Sequence, residues 1–262
     1  MRSPEELAQI AFDVASEAAQ ILHAGFRKQP SVREKRRADL VTEYDLASER
    51  LIRQRLAERT PEIAIVGEEQ GGTPAAGNGL TWYCDPLDGT TNFVHGHFFF
   101  CVSLGVAEAG LPVAGAVVAP ALATHWRAFR SGPALRNGEP CRVSETTELD
   151  QALVATGFPY DRRDPATNNF PAFTRVKPKV RGLRRCGSAA IDLCLVADGT
   201  YDAYWERSLN AWDLMAGSAL VLAAGGMLSA LNAPDGTPPD LSVGHVLASN
   251  GRIHREMLNL IV

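Results

Sequence analysis

A layered α/β protein is what this sequence predicts, and two stretches carry the prediction. Residues 98 to 130 read as an antiparallel meander: FFFCVSLGVAE, a turn around Gly110 and Pro112, VAGAVVA, then THWRAFR. From about residue 151 the pattern alternates: ALVATGF as strand, a polar helical stretch, VRGLRRC as strand, AAIDLCLVA as helix and YDAYW as strand. WDLMAGSALVLAA follows as helix, GMLSAL and HVLAS as strands, and a last helix closes the chain. An antiparallel first half and an alternating second half suit stacked sheets and helices rather than a barrel. The expected division is 1–150, an N-terminal α+β half, and 151–262, a C-terminal α/β half, within a single compact unit.

The remaining elements follow from local signals. Ser3-Pro4-Glu5-Glu6 offers an N-cap, a proline at the first helical position and a capping-box acid. Leu7, Ile10, Val14, Ala18 and Ile21 then recur at helical spacing, unlike the continuous apolar run of a signal peptide. Thr42 and Asp45 form a second capping-box pattern, opening a helix to about Arg59 whose inner face is Ala47, Leu51, Ile52 and Leu56. IAIVG at 63 to 67 reads as a short strand, the Gly/Pro/Ala-rich run 71 to 79 as a loop, WYCDP as a strand, and Asn137-Gly138 as a tight turn.

Composition narrows the function classes. The chain has 262 residues, 45% of them hydrophobic, enough for a sizeable core. Lys and Arg total 26 against 30 Asp and Glu, so the net charge of -4 gives no global field for nucleic acid. Five cysteines without a CxxC read as free thiols in a reducing cytosol, hence a cytoplasmic protein. No stretch is apolar for long enough to span a membrane.

The chemistry concentrates in acids at element ends. In WYCDPLDGTTNF a strand ends on Asp85, with Asp88 three residues on, beyond Pro86. Both carboxylates then leave the end of a sheet, where α/β proteins place ligands. Glu68 ends the preceding strand, and Asp213 stands at the start of a helix. Each has a plain structural reading: Asp213 as an N-cap, Asp88 as the first residue of a turn, Glu68 as a solvated strand end. Gathered together they would repel unless a cation or proton neutralises them, and hard oxygen ligands suit Mg²⁺ or Mn²⁺. Gly89-Thr90-Thr91-Asn92 would open a helical turn whose free N–H groups hold a phosphate.

Rival motifs fail on the residues. The chain has no GxxxxGK[ST] and no HExxH, and an EF-hand counted from Asp85 breaks at Pro86-Leu87 and at Gly96. Two residues separate the acids, where an aspartyl-nucleophile phosphatase would have one; the spacing favours attack by activated water. His95 and His97 read as surface or packing residues.

With DLVTEYD at 39 to 45, GEE at 67 to 69, DPLDGTTNF at 85 to 93 and WDLMAGSALVLAAGG at 212 to 226, the chain resembles the inositol monophosphatase family. That family belongs to the lithium-sensitive, magnesium-dependent phosphatase superfamily that includes fructose bisphosphatase. The resemblance implies a five-layer αβαβα sandwich, commonly dimeric. It implies that Glu68, Asp85 and the Leu87 carbonyl hold one Mg²⁺, that Asp85, Asp88 and Asp213 hold a second, and that a third, weaker ion leans on Glu68. Thr90 and Asp45, with Glu68, would position and deprotonate the attacking water. The N–H groups of Gly89 and Thr90 would hold the phosphate, and Ala189 and Glu206 would contact the substrate. Lys35 stands one residue nearer to the DLVT segment than the family's lysine, which leaves its role open.

The expected substrate is a myo-inositol monophosphate or a similar small polyol phosphate, with histidinol phosphate and fructose 1,6-bisphosphate as alternatives from sister branches. DGTTNF with Glu206 is closer to the inositol branch than the DGTKEF of 3′-phosphoadenosine phosphatases. The stretch RVKPKVRGLRR, 175 to 185, holds six basic residues and no acid. Some bacterial relatives act in transcription antitermination, so contact with RNA or RNA polymerase is a reading from another class. The preferred reading is a strand rim or dimer interface that raises the local potential for an anionic substrate.

Overall fold

The computed structural model describes residues 2–36, 39–77, 79–160, 163, 168–231, 241 and 244–262. Ser3 Oγ accepts the N–H of Glu6 at 3.1 Å and opens helix α1, Pro4–Gly25, as the N-cap reading requires. The apolar stripe of α1 ends on buried Leu22, while Ile21 is half-buried. A hairpin absent from the sequence reading follows, β1 at Val32–Arg36 antiparallel to β2 at Asp39–Thr42. Thr42 and Asp45 close the expected capping box on α2, Glu43–Arg59. The inner face of α2 differs from expectation: Ile52 and Leu56 are buried, but so are Asp45, Ser48 and Glu49, with Ala47 and Leu51 only half-buried.

A seven-stranded sheet comes next. Its strands are β3 (Ala64–Gly67) and β4 (Leu80–Asp88), which run parallel, then β5 (Cys101–Glu108), β6 (Leu111–Ala119), β7 (Thr124–Phe129), β8 (Ala134–Arg136) and β9 (Glu139–Cys141). From β4 onward each strand is antiparallel to its neighbour, which is the expected meander. Asn137 and Gly138 turn the β8–β9 hairpin with positive φ at both positions. Helix α3, Thr90–Val94, sits between β4 and β5.

The second half supplies β10 (Leu153–Thr156), α4 (Phe170–Val176), β11 (Gly182–Arg184), α5 (Ala189–Ala197), β12 (Ala203–Glu206), α6 (Ala211–Ala223), β13 (Met227–Ala230), β14 (Val246–Ser249) and α7 (His254–Ile261). Its five strands order as β11-β10-β12-β14-β13, with β10 parallel to β11 and β12 and β14 antiparallel to both neighbours.

Strand periodicity sorts these elements into layers. Val102, Leu104 and Val106 of β5 face a core shared with Leu7, Val14 and Leu22 of α1 and Ile52 and Leu56 of α2. Cys101 and Ala107, on the other face, join a core with Leu193 of α5, Leu214 and Leu220 of α6, and Tyr204 and Val246 of the second sheet. The far face of that sheet, with Trp205 and Leu247, packs on Val176 of α4 and Met257 and Ile261 of α7. The order is therefore helix, sheet, helix, sheet, helix, the αβαβα sandwich expected.

One close approach matters for the site. Gly105 and Gly115 face each other across β5 and β6. A β-carbon at Gly105 would lie 2.6 Å from the Ala216 nitrogen, and one at Gly115 2.6 Å from its Cα. Side chains there would lift α6 off the sheet. Glycine lets the helix seat directly on the strands, which fixes where Asp213 emerges. Among the described residues no helix is long and apolar enough to cross a membrane.

Candidate active site

The N-termini of α3, α5 and α6 and the C-terminal ends of β3, β4 and β12 meet around a cavity of about 310 Å³. Glu68, Asp85, Leu87, Asp88, Gly89, Thr90, Ala189, Glu206 and Asp213 all line it, as the sequence reading expects. Asp45 is the exception. It is fully buried behind Thr90 and reaches the cavity only through that hydroxyl.

Local geometry explains how each acid is aimed. The β4–β5 register breaks between Asp85, which pairs with Ser103, and Asp88, which pairs with Cys101, so Pro86 and Leu87 bulge out between the two aspartates. Ser48 Oγ donates to the Pro86 carbonyl at 2.9 Å, and the Leu87 N–H donates to Asp85 Oδ1 at 2.9 Å. Gly89 then adopts φ 94°, a left-handed conformation that turns the chain into α3. Asn92 Nδ2 donates to the carbonyls of Phe99 (2.7 Å) and Cys186 (2.8 Å), tying α3 to the loop before α5.

Asp88 links the two halves of the chain. Its Oδ2 accepts from Ser188 Oγ and from the Ala190 N–H, each at 2.7 Å, at the start of α5. Asp213 is not the N-cap of its helix. Asn210 caps α6 and Asp213 is the third helical residue, its Oδ2 accepting the Asn210 N–H at 2.7 Å. Asp45 occupies the same position on α2, its Oδ2 accepting the Thr42 N–H at 2.8 Å. Two capping boxes, one in each half, thus deliver an acid to one centre.

The acids are electrostatically frustrated. Burial, then the charges of Glu68, Asp88 and Asp213, push the Asp85 carboxyl far above the usual carboxylate range. Asp213 is raised by burial and by Glu68 and Asp88. Burial also raises Glu68, against the pull of Lys35, and raises Asp88, against its hydrogen bonds at the start of α5. Asp45 is lifted to about 6 by burial, and Glu206 to about 7 by burial that the Tyr204 hydroxyl only partly offsets. Such a set favours bound protons or bound cations.

Lys35 answers the question its spacing left open. From β1 its Nζ reaches both Glu68 Oε1 and Glu69 Oε1 at 2.8 Å. Burial lowers the Lys35 pKa, yet the two glutamates more than offset it and the net shift is upward. Among the described residues, no group of three or more His, Cys, Asp or Glu side chains is drawn up to hold a metal. The donor set still fits a hard divalent cation: carboxylate oxygens, mutually repelling, in a cradle that already draws in an ammonium.

The cavity holds further residues to which the sequence reading gave no definite role. Lys35 and Asp39 come from the unrecognised hairpin, Arg185 from the residue after β11, and Asp192 from α5. Asp192 is 1% exposed, and among the described residues its Oδ1 finds no hydrogen-bond partner. An acid inside the apolar run AAIDLCLVA was the available signal. The basic stretch divides: Arg175 donates to the carbonyls of Leu260 and Ile261 at the end of α7, Arg185 lines the cavity, and Arg184 is exposed. His95 and His97 are exposed, with His97 stacked on Phe98. Residues 161, 162 and 164 to 167 lie outside the described residues.

Residues 3–262 match the model of the inositol monophosphatase family. The chain is 44% identical to the inositol-1-monophosphatase of Synechocystis sp., over 97% of this chain and 89% of that protein. It is 36% identical to the Nus factor SuhB of Pseudomonas aeruginosa, over 98% of this chain and 96% of the relative. The inositol monophosphatase structure from Anabaena superposes with a TM-score of 0.88 at 36% identity, covering 98% of this chain and 95% of that one. Fold, cavity chemistry and sequence thus agree, and the chain belongs to the inositol monophosphatase family of metal-dependent phosphoric monoester hydrolases.

Proposed function

We propose that the chain hydrolyses myo-inositol monophosphate, or a close polyol monophosphate, with Mg²⁺ as the working cation and Mn²⁺ as a substitute. The observation that carries this reading is the convergence of Glu68, Asp85, Asp88 and Asp213 on one cavity beside the first residues of α3. Glu68, Asp85 and the Leu87 carbonyl would hold one ion, Asp85, Asp88 and Asp213 a second, and Glu68 a weaker third. When bound, these ions supply Lewis-acid neutralisation of the phosphoryl oxygens and of the departing alkoxide, and make water acidic enough to attack.

The chain's own groups do the rest. Thr90 Oγ1 donates to Asp45 Oδ1 at 3.0 Å, so a water that gives its proton to the threonine oxygen has a buried carboxylate to receive the relayed proton. Asp45, raised to about 6, is a proton acceptor matched to neutral pH. Glu68 helps to orient the same water. The N–H groups of Gly89 and Thr90 face the phosphate, Glu206 accepts a substrate hydroxyl, and Ala189 shapes the wall beside it. Attack is in line, with no phosphoenzyme.

The test is kcat/KM for myo-inositol 1-phosphate, histidinol phosphate, fructose 1,6-bisphosphate and 3′-phosphoadenosine 5′-phosphate, with and without Mg²⁺. Preference for the inositol ester supports the reading, and preference for another moves the chain to a sister branch with the same site. The reading extends to a lithium-sensitive, cytoplasmic homodimer whose halves, 1–150 and 151–262, share one site. A second reading, contact with RNA or RNA polymerase, is favoured by the Pseudomonas relative named Nus factor SuhB. A salt-sensitive RNA shift lost on joint Arg184→Ala and Arg185→Ala substitution supports it.

A further inference from the structure

We propose that Glu49 is the positioning residue that builds the Glu68 side of the site, an inference that rests on reading Glu68 as a metal ligand. Glu49 lies on α2 with no exposed surface, one turn beyond Asp45. Its Oε2 accepts the N–H of Glu69 at 2.7 Å, and its Oε1 accepts the N–H of Gln70 at 3.1 Å and Nε of Arg53 at 2.7 Å. A second nitrogen of Arg53 donates to the Gly71 carbonyl. Gly67 and Gly71 exchange two backbone hydrogen bonds of 3.0 Å, which close the turn. One ion pair on α2, its carboxylate fully buried and its guanidinium half-buried, therefore grips the middle and the far end of the loop from which Glu68 projects.

The surroundings are shaped for that grip. A β-carbon at Gly67 would overlap the Glu49 carboxylate, so the strand ends in glycine where the carboxylate passes. A leucine at position 49 would fill the space without the solvation cost of a buried charge, but it would leave two amides of the turn unpaired. The carboxylate is thus explained by the loop it holds rather than by packing. Glu68 and Glu69 then present adjacent oxygens to the same cation, as their shared bond to Lys35 demonstrates.

Groups that orient metal ligands commonly contribute a factor of ~10–100 in metal affinity or activity. Glu49→Gln keeps the volume but sets an amide N–H against the turn's donors. Glu49→Asp keeps the charge and falls short by one methylene. Each is expected to raise the Mg²⁺ concentration that half-saturates the thermal-shift response by about tenfold or more. The half-activating concentration for phosphate release should rise in step, with kcat at saturating Mg²⁺ largely retained. Circular dichroism establishes which variant is folded, and the aspartate variant carries the test if the glutamine variant is not. Folded variants with a wild-type Mg²⁺ midpoint overturn the proposal. Asp88→Asn serves as reference: if it too leaves the midpoint unchanged, the reading of the acids as a metal site falls, and the role of Glu49 with it. If only the Glu49 variants leave it unchanged, the site stands and Glu49 is merely structural.

Discussion

Thr90 Oγ1 lies 3.0 Å from Asp45 Oδ1 and 3.1 Å from the Leu87 carbonyl, so its one proton is shared between a buried carboxylate and a backbone oxygen of the bulge between Asp85 and Asp88. Asp45 cannot rotate away, because Thr42 holds its other oxygen through both its N–H (2.8 Å) and its hydroxyl. The pair is a fixed relay between the cavity and the start of α2.

Thr90→Ala breaks that relay without touching a carboxylate. Loss of one positioned proton-transfer group reduces kcat by roughly 10²–10⁴, and KM changes little. Steady-state kinetics on the preferred ester measure the split. A kcat within a factor of a few of wild type removes Thr90 from the chemistry.

Asp88→Asn leaves the fold intact, since an amide oxygen can still accept from Ser188 and Ala190, but it abolishes turnover. It also removes one of the crowded buried charges, so the metal-free variant melts at or above the wild-type temperature. A lower melting temperature in chelator means Asp88 serves chiefly as the anchor of α5.

Proton linkage gives a pH signature. The carboxyls of Asp45 (about 6), Glu206 (about 7), Glu68, Asp85, Asp88 and Asp213 hold protons in the folded state at a pH where the unfolded chain has released them. The folded form binds more protons, so without divalent cations stability falls as pH rises from about 4 through about 7. Melting temperatures in chelator should decline across that window, and added Mg²⁺ should restore more stability at pH 8 than at pH 5. A Mg²⁺ increment independent of pH contradicts the crowding of these acids.

Gly105→Ala inserts a methyl 2.6 Å from the Ala216 nitrogen and forces α6 outward. Overpacking of this kind costs ~1–3 kcal/mol. Because α6 carries Asp213, the Mg²⁺ requirement for activity should rise together with the loss measured by denaturant. Unfolding with unchanged Mg²⁺ dependence would separate the seating of α6 from the site.

Much of this was legible in the sequence because its signals are local. Ser3 and Thr42 announce helix starts by side-chain chemistry, the meander by alternation, and DPLDGTTN by acids placed at a strand end before glycine. The hairpin of β1 and β2 was not legible: every residue of VREKR is exposed, so no alternation marks it. Lys35 belongs to that strand, and its meeting with Glu68 and Glu69 is set by tertiary folding across more than thirty residues. Ser48 and Glu49 are polar residues outside the apolar positions of α2, and only the bulge at Pro86 and the turn at Gly67 explain their burial. Asp213 misled in position alone, since a capping box places the acid three residues inside the cap.

The clustered acids are expected to work through a divalent cation. Phosphate release from myo-inositol 1-phosphate, measured on protein stripped with chelator and then titrated with Mg²⁺, tests it most directly. Stripped protein should give no release above the uncatalysed rate, and activity should return as Mg²⁺ is restored. Steady hydrolysis in excess chelator would contradict it.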